Sequence, residues 1–126
     1  MATTALLTKS GQGTGVSAGG TKNFGLLGGG SHAIVEASGQ QTFRQGGTLY
    51  NLWINITANT INTGNSTVRT RINGGNGSMS VSIGAGVTGA FEDTTNSDTI
   101  AVADKVNGRI IAGGITGSLK PISKGK

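Results

Sequence analysis

Cysteine is absent from the 126 residues and proline occurs once. Without thiols the chain has neither disulfides nor thiolate metal sites, so its fold must rest on burial and hydrogen bonding. Histidine occurs once, as His32. One imidazole excludes the multi-histidine metal centre of cupin-type enzymes, and nothing marks a nucleophile that His32 would serve as base. Charged residues make up 12% and aromatics 4% of the chain. No run approaches the ~18 apolar residues that a membrane span requires. The stretch 1–9 lacks the charged region and long apolar run of a secretory signal, so a soluble protein made in a cytosol is expected.

What fills the space is glycine, asparagine, threonine and serine. Glycine alone supplies 24 residues, against a usual ~7%. The glycines follow no three-residue period, which excludes collagen. Such a mixture forms helices poorly and suits short strands joined by tight turns. The fold class expected is all-β: an antiparallel β-sandwich or jelly roll of about eight strands, preceded by an extended N-terminal arm.

The strongest segment is Thr48 to Ala58. Tyr50, Leu52, Ile54, Ile56 and Ala58 alternate with Leu49, Asn51, Trp53, Asn55 and Thr57. Period-two alternation predicts a central strand whose first set is buried. Shorter strands are expected at 32–37, 41–45, 67–73, 78–83, 87–93, 99–103, 107–112 and 115–122. Turns are expected at Gly46-Gly47, Asn73 to Gly77, Thr94 to Ser97 and Asp104-Lys105. The core predicted is Leu52, Ile54, Ile56, Val68, Ile72, Val81, Ile83, Phe91, Ile100 and Val102. Arg69 and Arg71 fall on the outward face of their strand.

Residues 1–31 read as a Gly-rich arm, 32–120 as the sandwich and 121–126 as a basic tail. The arm retains Leu6, Leu7, Phe24, Leu26 and Leu27 at intervals, with Lys9 and Lys22 between them. Those side chains suit a segment laid on another surface better than a free tether.

Several motifs resolve to turns or chance. Gly84 to Gly89 matches G-x-G-x-x-G, but the residues that follow read as strand and turn, not the helix a dinucleotide needs. Glu92, Asp93 and Asp98 bracket one loop without calcium-loop spacing. No pair stands out among Glu36, Glu92, Asp93, Asp98 and Asp104 for glycosidase chemistry. Three Asn-x-Ser/Thr triplets, at Asn55, Asn65 and Asn76, are expected by chance in this composition. Ten Lys and Arg against five Asp and Glu give +5, without the clustered basic groove of a nucleic-acid reader. The expectation is a protein that is not an enzyme and has no cofactor, metal, nucleic acid or membrane partner.

A resemblance enters through Leu52 to Ile56, Arg71-Ile72-Asn73-Gly74, Val81 to Asp98 and Ile100 to Val106. These resemble small structural proteins of tailed bacteriophages, with a residue-Asn-Gly hairpin, a Gly-Thr-Gly-x-Phe-x-Asp turn and an Ala-x-Asp corner. The resemblance spans about 47–117. It implies a jelly-roll, tumour-necrosis-factor-like subunit, usually a homotrimer, on the outside of a virion. The group includes capsid decoration (cement) proteins, which bind the major capsid protein, and fibre or receptor-binding modules, which hold a host glycan on loops such as Asn59 to Ser66. The decoration reading makes Leu6, Leu7, Lys9, Lys22, Phe24, Leu26, Leu27, Arg69 and Arg71 the contacts with capsid or neighbouring subunit.

Overall fold

The computed structural model describes residues 9–10, 16–25, 28–29, 36–38 and 40–122. They form β1 (Lys9–Ser10), β2 (Val16–Ser17), β3 (Thr21–Phe24), β4 (Gly28–Gly29), β5 (Gln41–Thr42) and β6 (Gly47–Asn59). Then follow β7 (Ser66–Ile72), β8 (Gly75–Ile83), β9 (Gly89–Ile100), β10 (Lys105–Ile111) and β11 (Ser118–Ile122). A 3-10 turn, Glu36–Ser38, precedes β5.

Two antiparallel sheets result. One runs β2-β11-β6-β9; the other runs β3-β10-β7-β8, with β5 sharing the β10 edge with β3. The short β1–β4 pair is parallel and separate. Between the sheets lie Ile54 and Ile56 of β6, Val68 of β7, Val81 and Ile83 of β8, Ile110 of β10, and Val16, Phe24, Ile61 and Ala112. Each strand reaches this layer by alternation, because successive side chains point to opposite faces. The all-β, antiparallel architecture read from composition and periodicity is therefore present.

The central strand runs longer than expected and changes phase. Tyr50 lies opposite Ser97, but Leu52 lies opposite Asp93, so Asn51 faces the extra residues Thr94, Thr95 and Asn96. Asn51 takes a φ of 61°, a left-handed value that asparagine tolerates better than most residues. A bulge of this kind shifts the alternation by a residue. Tyr50, expected inward, is 59% exposed, while Leu49, expected outward, lies opposite the buried Asp98. The Thr94 to Ser97 turn is accordingly a bulge within the continuous strand β9.

Other expectations are also corrected. Val102 is 66% exposed because Ala101 to Asp104 closes a tight turn, with Ala103 at φ 74° and Asp104 N–H bonded to the Ala101 carbonyl. Leu52, Ile72 and Phe91 are only half-buried. The strand expected at 32–37 is not formed at its end, where Glu36 begins the 3-10 turn; residues 31–35 lie outside the described residues. The 73–77 hairpin tightens to a two-residue turn, Asn73 and Gly74, both at positive φ. That is the geometry Asn-Gly favours between twisted strands.

The described part of the N-terminal stretch belongs to the sheets. Val16 on β2 pairs with β11, and β3 pairs with β10 along Thr21 to Phe24. Phe24 covers Gly108, where a Cβ would sit 2.2 Å from the ring. Ile54→Ala is expected to cost about 2–5 kcal/mol and Phe24→Ala about 3–5 kcal/mol by cavity formation, measured by urea denaturation. Deletion of residues 1–27, which removes Val16 and Phe24, is expected to abolish the cooperative transition. A sharp, wild-type-like transition in that deletion would show that β2 and β3 contribute nothing.

Candidate functional site

Polar side chains in this protein do most of their work between strands. The clearest case joins the two sheets. β8 is the edge of its sheet and β9 the edge of the other, so β8 presents backbone N–H groups with no ladder partner. Two carboxylates from β9 meet them. Asp98 Oδ1 accepts from the Ser78 N–H, and Asp98 Oδ2 accepts from the Met79 N–H at 3.4 Å and from the Thr70 hydroxyl. Asp93 Oδ2 accepts from the Ser80 N–H at 3.0 Å. Its Oδ1 holds the bulge together through the Thr95 and Asn96 N–H groups, each at 3.0 Å. The Asn96 side chain, then its backbone N–H and that of Ser80, hold the Asp93 carboxyl well below the usual carboxylate range. Gly77 makes room for this arrangement, since a Cβ there would lie 2.3 Å from Thr70 Oγ1 and 2.7 Å from Asp98 Oδ2.

A second network lies on the outer face of the five-stranded sheet. Glu36, at the start of the 3-10 turn, pairs with Arg71 Nε at 2.7 Å and Arg109 Nη2 at 3.1 Å. Arg109 Nε donates to Asn23 Oδ1 at 2.9 Å. Arg71 also donates to Asn76 Oδ1 and the Gly74 carbonyl, which ties the hairpin to the network. Its guanidinium is the main cause that lowers the Glu36 pKa; burial opposes it and the charge of Arg109 assists. Asn107 is fully buried beside them, its Oδ1 without a partner among the described residues.

The turns are locked in the same manner. Asn73 Nδ2 donates to Asp104 Oδ1 at 2.8 Å, and Asn73 Oδ1 accepts from the Lys105 N–H at 2.9 Å. The Asp104 carboxyl is lowered first by Asn73, then by the Ala101 N–H. At the opposite end, Asn59 Nδ2 donates to the Gly84 and Val87 carbonyls, and Asn62 Oδ1 accepts from the Ile115 and Thr116 N–H groups. Within the Asn59 to Ser66 loop, Asn59 and Asn62 thus hold neighbouring turns.

These observations relocate several expected contact residues. Arg71 keeps the outward face expected for it, in unbroken register with β10, but is buried there because Glu36 and its 3-10 turn cover it. Phe24 is a core side chain, not a surface anchor. Arg69 remains half-exposed, opposite Arg109 on one neighbour and Ser80 on the other, and Lys22 is half-exposed on β3. Lys9 lies in β1, whereas Leu6, Leu7, Leu26 and Leu27 lie outside the described residues.

Two outward features remain. The five acidic side chains are all described; Glu36, Asp93, Asp98 and Asp104 accept hydrogen bonds within the subunit, while Glu92 receives none from the described residues. Glu92 lies opposite Trp53 on the outer face of the four-stranded sheet. The Asn51 bulge turns Tyr50 to that same face, so the only Tyr and the only Trp share a surface that simple alternation divides between two. Among the described residues no three His, Cys, Asp or Glu side chains converge as a metal site. No family model, curated protein or solved structure matches the chain.

Asp98→Ala strands the Ser78 and Met79 N–H groups and the Thr70 hydroxyl. It is expected to lower stability by at least ~1–3 kcal/mol, the penalty for an unsatisfied buried donor. The pH dependence follows from the depressed carboxyls of Asp93, Glu36 and Asp104. Each binds its proton more weakly folded than unfolded, so their contribution is complete above the ordinary carboxylate pKa and is lost as pH falls through the folded values. Urea midpoints are expected to fall on acidification below about pH 4, less steeply in Asp93→Asn than in wild type. A midpoint independent of pH across that window would remove these carboxylates as the ties between strands.

Proposed function

We propose that the protein is a capsid decoration subunit, a structural virion protein that binds the outer surface of a bacteriophage head as a homotrimer and stabilises it. The observation that carries this reading is the division of charge. Four of the five acidic side chains are bonded within the subunit, while Lys22, Arg44, Arg69 and Lys105 are exposed or half-exposed. Interlocked turns and carboxylate-tied edges suit a rigid repeated subunit. An outward excess of cations suits an acidic shell built from the major capsid protein. The phage-like hairpin, turn and corner motifs supply the class of partner. The segment before Val16 carries Leu6, Leu7 and Lys9 as the anchors of the arm; Arg69 supplies a contact from the sheet.

Purified protein mixed with undecorated capsids is expected to co-sediment, less so as salt rises, because attraction between exposed charges is screened. Arg69→Glu is expected to weaken attachment while leaving the urea midpoint near wild type. Sedimentation equilibrium is expected to give a trimer. Failure to co-sediment at low salt would refute the decoration role, and a stable monomer would refute the assembly.

A second reading is favoured by one observation. Tyr50 and Trp53 on a common outward face, with Glu92 opposite Trp53 and without a hydrogen bond among the described residues, combine rings for the C–H faces of a sugar with a carboxylate for its hydroxyls. In that reading the subunit belongs to a fibre or receptor-binding module and holds a host glycan on the sheet, not on the 59–66 loop. Glycan-array binding abolished by Tyr50→Ala, with no capsid co-sedimentation, would select it.

A further inference from the structure

The sequence contains three Asn-Gly pairs: Asn73-Gly74, Asn76-Gly77 and Asn107-Gly108. In such pairs the glycine nitrogen can attack the asparagine side-chain carbonyl, since no side chain on the glycine shields it. By sequence the three are equivalent; the fold makes them different. Asn73 has both ends of its amide engaged, by Asp104 and by the Lys105 N–H. Asn107 is fully buried in β10, its Nδ2 donating to the Gly108 carbonyl at 3.0 Å and the Phe24 ring covering Gly108.

Asn76 is exposed and stands at the register shift between β7 and β8. Its Nδ2, the atom that must leave, has no hydrogen bond among the described residues. Its Oδ1 accepts from Arg71 Nη1. That guanidinium draws electrons from the carbonyl carbon and faces the oxygen on which negative charge develops when the carbon becomes tetrahedral.

We propose that Asn76 is a self-modification site at which the native protein deamidates selectively. The Gly77 nitrogen gives its proton to solvent base and bonds to Asn76 Cγ. The Cγ–Nδ2 bond then breaks, Nδ2 takes a proton from solvent and leaves as ammonia, and a five-membered succinimide remains. Water adds to either ring carbonyl and opens it to aspartate or isoaspartate. No oxidant or reductant takes part.

The site is built into the fold, because Gly77 cannot be exchanged for a slower partner without filling the place of Thr70 and Asp98. The product puts a carboxylate beside Arg71, where Glu36 already sits. The isoaspartyl form also adds a main-chain methylene just ahead of Ser78, whose N–H holds Asp98. Conversion therefore acts on the contact between the two sheets.

The test is peptide mapping by mass spectrometry, with aspartate and isoaspartate resolved, after incubation of the full chain at mildly alkaline pH with and without urea. In urea the three pairs are expected to convert at comparable rates. In the native protein Asn76 is expected to convert several-fold faster than Asn73 and Asn107. Arg71→Lys, checked for its fold by circular dichroism, is expected to slow conversion at Asn76 in native buffer but not in urea. Native conversion led by Asn73 or Asn107, a native order equal to that in urea, or an intact Asn76 while the urea sample converts would each overturn the proposal.

Discussion

A two-sheet protein must do something with the strands at the margins, and here the answer is a pair of buried carboxylates. β8 and β9 border different sheets on the same side of the molecule. A ladder between them would join the sheets into a barrel, and bare edges would invite pairing with other chains. Asp93 and Asp98 take a third course, in which β9 side-chain oxygens accept the N–H groups of β8. The backbone of one sheet is thereby satisfied by side chains of the other, with no shared ladder.

The rest of the structure is adjusted to that junction. Carrying both Asp93 and Asp98 inward requires an odd shift between them, and the bulge at Thr94 to Asn96 opposite Asn51 supplies it. The same shift exchanges Leu49 and Tyr50 between faces. Gly77 leaves the space into which the Asp98 carboxylate and Thr70 hydroxyl fit. Asp93 then closes the bulge through Thr95 and Asn96. Charge that elsewhere would mark a catalytic or metal-binding cleft is here held by N–H donors, which take up the lone pairs a cation would need.

The sequence made the architecture legible because alternation survives wherever pairing is regular. Ile54, Ile56, Val68, Val81, Ile83 and Ile100 lie inside as their periodicity requires. It failed at Tyr50 and Leu49, beside a register shift, while Arg71 lies on its expected face and is buried there by Glu36. A bulge leaves the local composition of a strand unchanged, so the phase error is invisible until the partner strand is known. The cue at Thr94 to Ser97 was real turn chemistry, but it served a kink within a strand instead of a reversal between two. Val16 and Phe24 were overlooked as core for another reason. Sparse apolar residues among glycines cannot fold alone, yet they suffice to complete sheets that other segments have built. The network around Glu36 had no sequence cue, since it joins residues far apart in the chain across the face of a sheet.

The position of β11 bears on how the molecule comes to be made. This strand lies between β2 and β6, although it follows every other described strand in the chain. Its neighbour β2 can enter the four-stranded sheet only when β11 is in place. On the ribosome, β2 therefore waits unpaired through the synthesis of nearly all the sandwich. Closure of that sheet waits for β11 and is brought about by contacts far apart in sequence, which is the situation in which folding is slow. A nascent protein in this interval exposes strand edges to its neighbours on the same message.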